Sequence, residues 1–319
     1  MNTAVYAVLV AFVANIALTP MLIPALVKFK FGQVIRDDGP QSHMKKAKTP
    51  TMGGIMIIIS FLLASLIFMR DNPEAMAIAI TTVAFGFVGF LDDFLKITKK
   101  SSDGLRAWQK LLGQIIISIG FIWYWSTLPG FSTEILIPFF PELTLDLGIF
   151  FPVFVLFIFL GTSNGANLTD GLDGLASGVT AIIAVFFMFS AWILDSATIP
   201  VAGAAVGALL GFLLFNFHPA RVFMGDTGSL ALGGFVASIA LVLQMPLFLG
   251  IVAIIYVIES LSVIIQVVYF KLTRRRFFKM APIHHSFEVS GWPETKVVAF
   301  FYVITAIAAL LGYVALAGF

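Results

Sequence analysis

The chain contains no cysteine, which excludes disulfides and thiol chemistry. Charge is scarce too: Asp, Glu, Lys and Arg make up 11% of the residues, against about 25% in a soluble domain. With 60% hydrophobic residues and a mean hydropathy of +1.02, burial in water cannot account for the apolar excess, so the solvent is lipid. There is no internal repeat of clear period, which disfavours inverted-repeat transporters, and no large Ig-like or Rossmann pattern. No charge precedes the first apolar run, and that run is too long for a signal h-region, so it is expected to stay as a membrane helix.

What the chain does have is long apolar runs. A spanning helix needs about 20 mostly apolar residues. Ten runs reach or approach that length: about 3–27, 52–69, 75–91, 111–128, 149–163, 175–194, 199–215, 229–245, 247–270 and 297–317. The fifth is short, and the eighth and ninth divide near Pro246. The runs leave almost no room for a soluble domain. The expected fold is therefore an all-α polytopic membrane protein of ten transmembrane helices, with residues 1–319 forming one domain.

Net charge is only +2, but its distribution is lopsided. Of the 19 Lys and Arg residues, all but Arg70 fall in alternate gaps between the runs. Basic short loops stay cytoplasmic, so these gaps face the cytoplasm and both termini are expected outside. Asp92, Asp93, Asp170, Asp173 and Asp226 lie on the same side as the positive charge. A membrane protein that gathers carboxylates and cations on one face is laid out for a metal and phosphate-rich ligands. The longest outward loop, about 129–148, fits a small hairpin or an interfacial turn.

Five cytoplasmic stretches carry the chemistry. The first runs from Ser42 through Lys45, Lys46 and Lys48 to Gly53-Gly54, where lysines supply charge-assisted donors and glycines allow close backbone approach. Lys48, between proline and glycine signals, is favoured as a ligand contact. Next, the third run ends in Asp92-Asp93-Phe94-Leu95-Lys96. Neighbouring helical residues point about 100° apart, so one carboxylate can face a metal while the other meets a neighbour. Lys96, four residues after Asp92, shares its face. Asn164 to Leu175 then places Asn167, Asp170 and Asp173 between two membrane helices with no Lys or Arg. Carboxylates so near lipid need partners or a cation. Asp170 and Asp173 are spaced to converge on one ligand, but the EF-hand spacing with its final Glu is missing.

The fourth stretch, Asn216 to Ser229, contains Phe223 and the segment Gly225-Asp226-Thr227-Gly228-Ser229 at the start of a run. Small residues at a helix N-terminus offer free N–H groups to an anion, and Asp226 could equally be a plain N-cap. Phe223 could stack on a flat ring, although its spacing alone favours a lipid contact. The fifth stretch holds Arg274-Arg275-Arg276 and His284-His285. Adjacent histidines diverge, which suits phosphate better than one shared zinc. Glu259, inside the ninth run and well below the loops, is read as structural despite being an intramembrane acid.

Together these stretches resemble the phospho-N-acetylmuramoyl-pentapeptide transferases of bacterial cell-wall synthesis, a branch of the polyprenyl-phosphate N-acetylhexosamine-1-phosphate transferases. The resemblance rests on Ser42 to Gly54, Asp92 to Lys96, Asn164 to Ala176, Phe223 to Gly234 and Pro282 to Glu288, in family order across nearly the whole chain. The family usually shows three consecutive histidines, whereas this chain has His284, His285 and Ser286. A serine carries no positive charge, which implies that the third position is dispensable to the chemistry.

The resemblance implies a bacterial inner-membrane enzyme with its active site at the cytoplasmic face. Undecaprenyl phosphate and UDP-MurNAc-pentapeptide would give lipid I and UMP, with Mg²⁺ as cofactor. It further implies Asp226 as the metal ligand and Asp92 and Asp93 as the residues that ready the lipid phosphate. Phe223 would lie under the uracil, with Lys96, Asn167, Asp173 and Asn216 around the nucleoside; Asp170 belongs to the same substrate-binding set. Lys48, Lys110, His284 and His285 would meet phosphate or sugar. Direct attack and a covalent aspartyl-phosphate both remain open, direct attack being preferred. Membrane lipid and a homodimer are the implied partners, and no nucleic acid is expected. The rivals are a sister transferase that uses UDP-GlcNAc and a transporter or flippase. The latter should carry its polar residues at mid-membrane rather than at helix ends.

Overall fold

Each of the ten apolar runs falls on a helix in the computed structural model, which describes residues 1–28, 49–69, 72–99 and 104–318. In chain order these are α1 (Asn2–Lys28), α2 (Gly54–Phe68), α3 (Pro73–Lys99), α4 (Ala107–Trp125), α5 (Phe151–Thr169), α6 (Leu175–Ile193), α7 (Ile199–Asn216), α8 (Gly225–Val242), the short α9 (Leu249–Val252), α10 (Ile254–Thr273), the short α11 (Ile283–Val289) and α12 (Glu294–Leu316). Among the described residues, eight helices are long and apolar enough to cross a membrane, and α2 is a shorter apolar helix of 15 residues. The chain is thus an all-α, multi-pass membrane protein. The ninth run is not one helix: it breaks at Ala253, between α9 and α10.

Helix pairing in lipid relies on close packing and on hydrogen bonds between helices, because lipid tails are as apolar as the side chains they would replace. Both devices are present. Gly203, Gly207 and Gly211 recur every four residues on α7, and a Cβ at any of them would overlap α1 at Ala4, Val8 or Asn15. The buried Asn15 amide donates to Ser60 Oγ on α2 at 3.0 Å. α8 is buried along almost its whole length, whereas much of α1 and α10 faces outward, as a lipid-facing helix should.

The loop between α4 and α5 is the small hairpin that its composition allowed. Strands β1 (Glu134–Leu136) and β2 (Thr144–Asp146) pair antiparallel, with Ile135 opposite Leu145. Far from it, at the other end of the bundle, the C-terminal ends of α3, α5 and α7 meet the N-terminal ends of α4, α6, α8 and α12.

Candidate active site

Asp92 and Asp93 part company at the end of α3, as helical geometry requires. Asp93 turns to the start of α8, where Oδ1 accepts the N–H of Asp226 at 3.2 Å and Oδ2 accepts the N–H and hydroxyl of Thr227 at 2.9 and 2.7 Å. Helix starts leave orphan N–H groups, and α8 has no cap of its own, so a neighbouring helix supplies it. Asp92 instead pairs with Lys96 Nζ at 2.5 Å and accepts the N–H of Leu105 at 2.7 Å.

Asp226 is the hub rather than an N-cap. Its Oδ2 accepts Lys96 Nζ at 3.0 Å and Lys110 Nζ at 2.8 Å, and its Oδ1 accepts the Asn167 amide at 2.8 Å. Three helices besides its own thus contribute side chains to one carboxylate. Carboxylate oxygens of Asp92, Asp93 and Asp226 all lie within 4.8 Å of one another. Such closeness requires α3 and α8 to touch through backbone: a Cβ at Gly89 would overlap the carbonyl of Asp226.

Asp170, just beyond α5, accepts the N–H of Gly225 and completes the acidic side. Loss of hydration holds its carboxyl well above the usual carboxylate range, and the charges of Asp226, Asp93 and Asp173 push it further. Four carboxylates (Asp92, Asp93, Asp170, Asp226) thus share the site with two ammonium groups (Lys96, Lys110), and the charge imbalance adds to burial in favouring the protonated form of Asp170. Above the ordinary value of about 4, the unfolded chain has lost that proton while the folded chain keeps it. Stability without divalent cations is thus expected to fall as pH rises from about 4 through the raised value. Thermal unfolding in detergent across that range should show the fall, and Asp170→Asn should lessen it.

A family model described as glycosyl transferase family 4 matches residues 75–244, and a signature described as phospho-N-acetylmuramoyl-pentapeptide-transferase signature 1 matches residues 46–58. A phospho-N-acetylmuramoyl-pentapeptide-transferase of Clostridioides difficile is 50% identical over 313 residues, 97% of each chain. One of Clostridium kluyveri is 48% identical over 318 residues, covering 99% of this chain and all of the relative. The chain belongs to the phospho-N-acetylmuramoyl-pentapeptide-transferase family. A Thermoanaerobacter member is 48% identical over 98% of both chains.

The remaining positions that the family resemblance singled out divide into three groups. Phe223 is partly exposed, and its backbone pins the signature loop: its N–H donates to Pro50 and its carbonyl accepts from Gly53, both at 2.8 Å. Lys48, two residues before Pro50, lies outside the described residues. Asn216 is buried, donates to the carbonyl of Val222 at 3.0 Å and accepts from Ser177 at 2.7 Å. It braces the turn that presents Phe223.

Asp173 does not converge with Asp170 on one ligand. Its carboxylate pairs with His218 Nδ1 and accepts the N–H of Ala220, each at 3.0 Å, while its own N–H donates to Glu294 at 2.7 Å. Ring and carboxylate atoms of Asp173, His218 and Glu294 lie within 4.8 Å of one another. The sequence offered little to find His218 or Glu294: one looked like part of a turn before proline, the other like a first-turn acid of α12.

The two histidines also differ. His284, expected to meet phosphate or sugar, is wholly buried. His285 is partly exposed and bonds Glu288 at 2.8 Å. Ser286 accepts the N–H of Met280 and donates to its carbonyl, a loop-closing role that needs no charge. Glu259 does not lie well below the loops: it accepts hydrogen bonds from Ile283 and His284, because α11 folds back against α10.

Proposed function

We propose that the chain transfers phospho-MurNAc-pentapeptide from UDP-MurNAc-pentapeptide to undecaprenyl phosphate, releasing UMP, in the bacterial inner membrane. The observation that carries this reading beyond family membership is the carboxylate cluster held beside two lysines at the helix ends. Both substrates are anionic and repel each other, so a site for their reaction has to bring positive charge. Lys96 and Lys110 can each donate to phosphate oxygens, and Asn167 keeps Asp226 oriented between them.

The donor set also fits magnesium, a hard cation that takes one or two carboxylates and leaves the rest to water and substrate phosphates. Asp226 would hold it, with Asp92 and Asp93 adjoining. When bound, the ion neutralises charge that develops on the transferring and leaving phosphates. Neighbouring negative charge adds to burial in raising Asp170, and such an ion would offset that part, so adding Mg²⁺ should lessen the pH-dependent fall in stability described above.

Direct attack by the lipid phosphate is the step that the hydrogen bonding favours. Both oxygens of Asp93 are engaged at the start of α8, and Asp92 is tied to Lys96 and Leu105, so neither stands ready as a nucleophile. Base removal by Asp92 gains little, because a phosphate monoester is already largely ionised near neutrality, its second pKa being about 6. Phe223, beside this cluster, serves as a platform for the uracil. Phe223→Ala should raise the nucleotide KM about 5- to 150-fold, from the roughly 1–3 kcal/mol of one base stack. An unchanged KM removes the stacking role.

The reading places α2 and α4 in the membrane beside the eight apolar helices counted above, giving ten spans with both termini outside. Purified protein with Mg²⁺, each sugar nucleotide in turn and polyprenyl phosphate tests the reaction. UMP release with UDP-MurNAc-pentapeptide alone is expected; release with UDP-GlcNAc instead would move the chain to the sister activity.

A further inference from the structure

Glu259 is an acid with no exposed surface in the second turn of α10, a membrane helix, and the reaction above does not use it. An ionisable group there is costly and calls for partners. It has two. Oε2 accepts the N–H of Ile283 at 3.0 Å, and Oε1 pairs with His284 Nδ1 at 3.0 Å. A carboxylate only accepts, so the proton sits on Nδ1, and both the tautomer and the ring orientation of His284 are set. Its other nitrogen, Nε2, is buried and has no hydrogen-bond partner among the described residues. That nitrogen presses on the backbone of Gly171: a Cβ at this position would overlap it. Gly171 directly follows Asp170.

Other elements brace the same turn. Glu294 takes the N–H of Asp173, Ala220 donates to the Asp173 carboxylate, and the Tyr302 hydroxyl donates to the carbonyl of Gly174 at 2.6 Å. None of these contacts falls on the Asp170–Gly171 half, which carries the acid facing Asp226.

We propose that Glu259 is a positioning residue for transfer: through His284 it props the Asp170–Gly171 turn at the height that lets Asp170 complete the acidic cluster. This rests on the active-site reading given above. A carboxylate that orients a histidine in this way is comparable to the partners that orient metal-ligating side chains, whose loss costs about 10–100-fold in metal affinity or activity.

The test compares Glu259→Gln, Glu259→Asp, Gly171→Ala and Glu259→Gln/Gly171→Ala with Asp226→Asn, reading kcat, nucleotide KM, half-saturating Mg²⁺ and melting temperature. Glu259→Gln should raise half-saturating Mg²⁺ and lower kcat/KM about 10- to 100-fold. Glu259→Asp, which keeps the charge, should recover part of both. Gly171→Ala should shift the same constants, and the double variant should lose less than the product of the two single losses, because both act through His284. Wild-type constants in Glu259→Gln, a lower melting temperature alone, or losses that simply multiply would overturn the proposal. If Glu259→Gln does not fold, unshifted constants in Glu259→Asp overturn it. Transfer that survives in Asp226→Asn would instead sink the active-site reading; an inactive Asp226→Asn beside a normal Glu259→Gln sinks only the positioning role.

Discussion

Asp226→Asn should lower kcat for transfer by about 10³-fold or more while the protein stays folded. The substitution keeps the shape of the side chain, and its remaining oxygen can still accept the Asn167 amide. It removes the carboxylate that Lys96 and Lys110 share. Both ammonium groups then face an uncharged amide, although Lys96 keeps Asp92, and the proposed magnesium site loses its central ligand. The effect falls on charge stabilisation and not on packing, so melting temperature and nucleotide binding should change far less than turnover. Transfer measured as lipid-linked product, beside thermal melting in the same detergent, separates the two. Wild-type turnover in this variant would remove Asp226 from the chemistry.

Gly89→Ala is expected to act as strongly without touching a charged group. The added Cβ would sit on the carbonyl of Asp226, a backbone atom that cannot rotate away. α3 and α8 must therefore separate, and Asp93 loses its grip on the start of α8. A misplacement of about 1 Å in a catalytic constellation can cost 10²-fold in rate. Overpacking adds roughly 1–3 kcal/mol of destabilisation. Gly120→Ala is the control: its Cβ would meet nothing within 4 Å, so it should leave activity intact and, as a better helix former, raise stability slightly. Equal behaviour of the two variants would show that the α3–α8 contact does not set the site.

The two variants mark the boundary of what could be read without coordinates. Aspartates at 92, 93, 170, 173 and 226 stood out because acids beside long apolar runs are expensive, and they do gather at one end of the bundle. The divergence of Asp92 from Asp93 and the pairing of Asp92 with Lys96 followed from helical periodicity alone. Periodicity could not say that Asp93 caps a helix more than a hundred residues away, nor that Asn216 braces a turn. It also could not separate Asp173, which joins His218 and Glu294, from Asp170, which faces Asp226.

The sequence by itself determined the solvent, the helices and the one end of the bundle at which the acids gather. Those properties depend on local quantities: how many apolar residues run together, and which gaps hold lysine and arginine. Tertiary structure alone decided what each polar residue does. A carboxylate becomes a cap, a hub or a prop only when a distant helix brings it a particular N–H, ammonium or imidazole. That approach is set by contacts such as Gly89 on Asp226 and Gly171 on His284, where the missing side chain matters only because of what lies opposite.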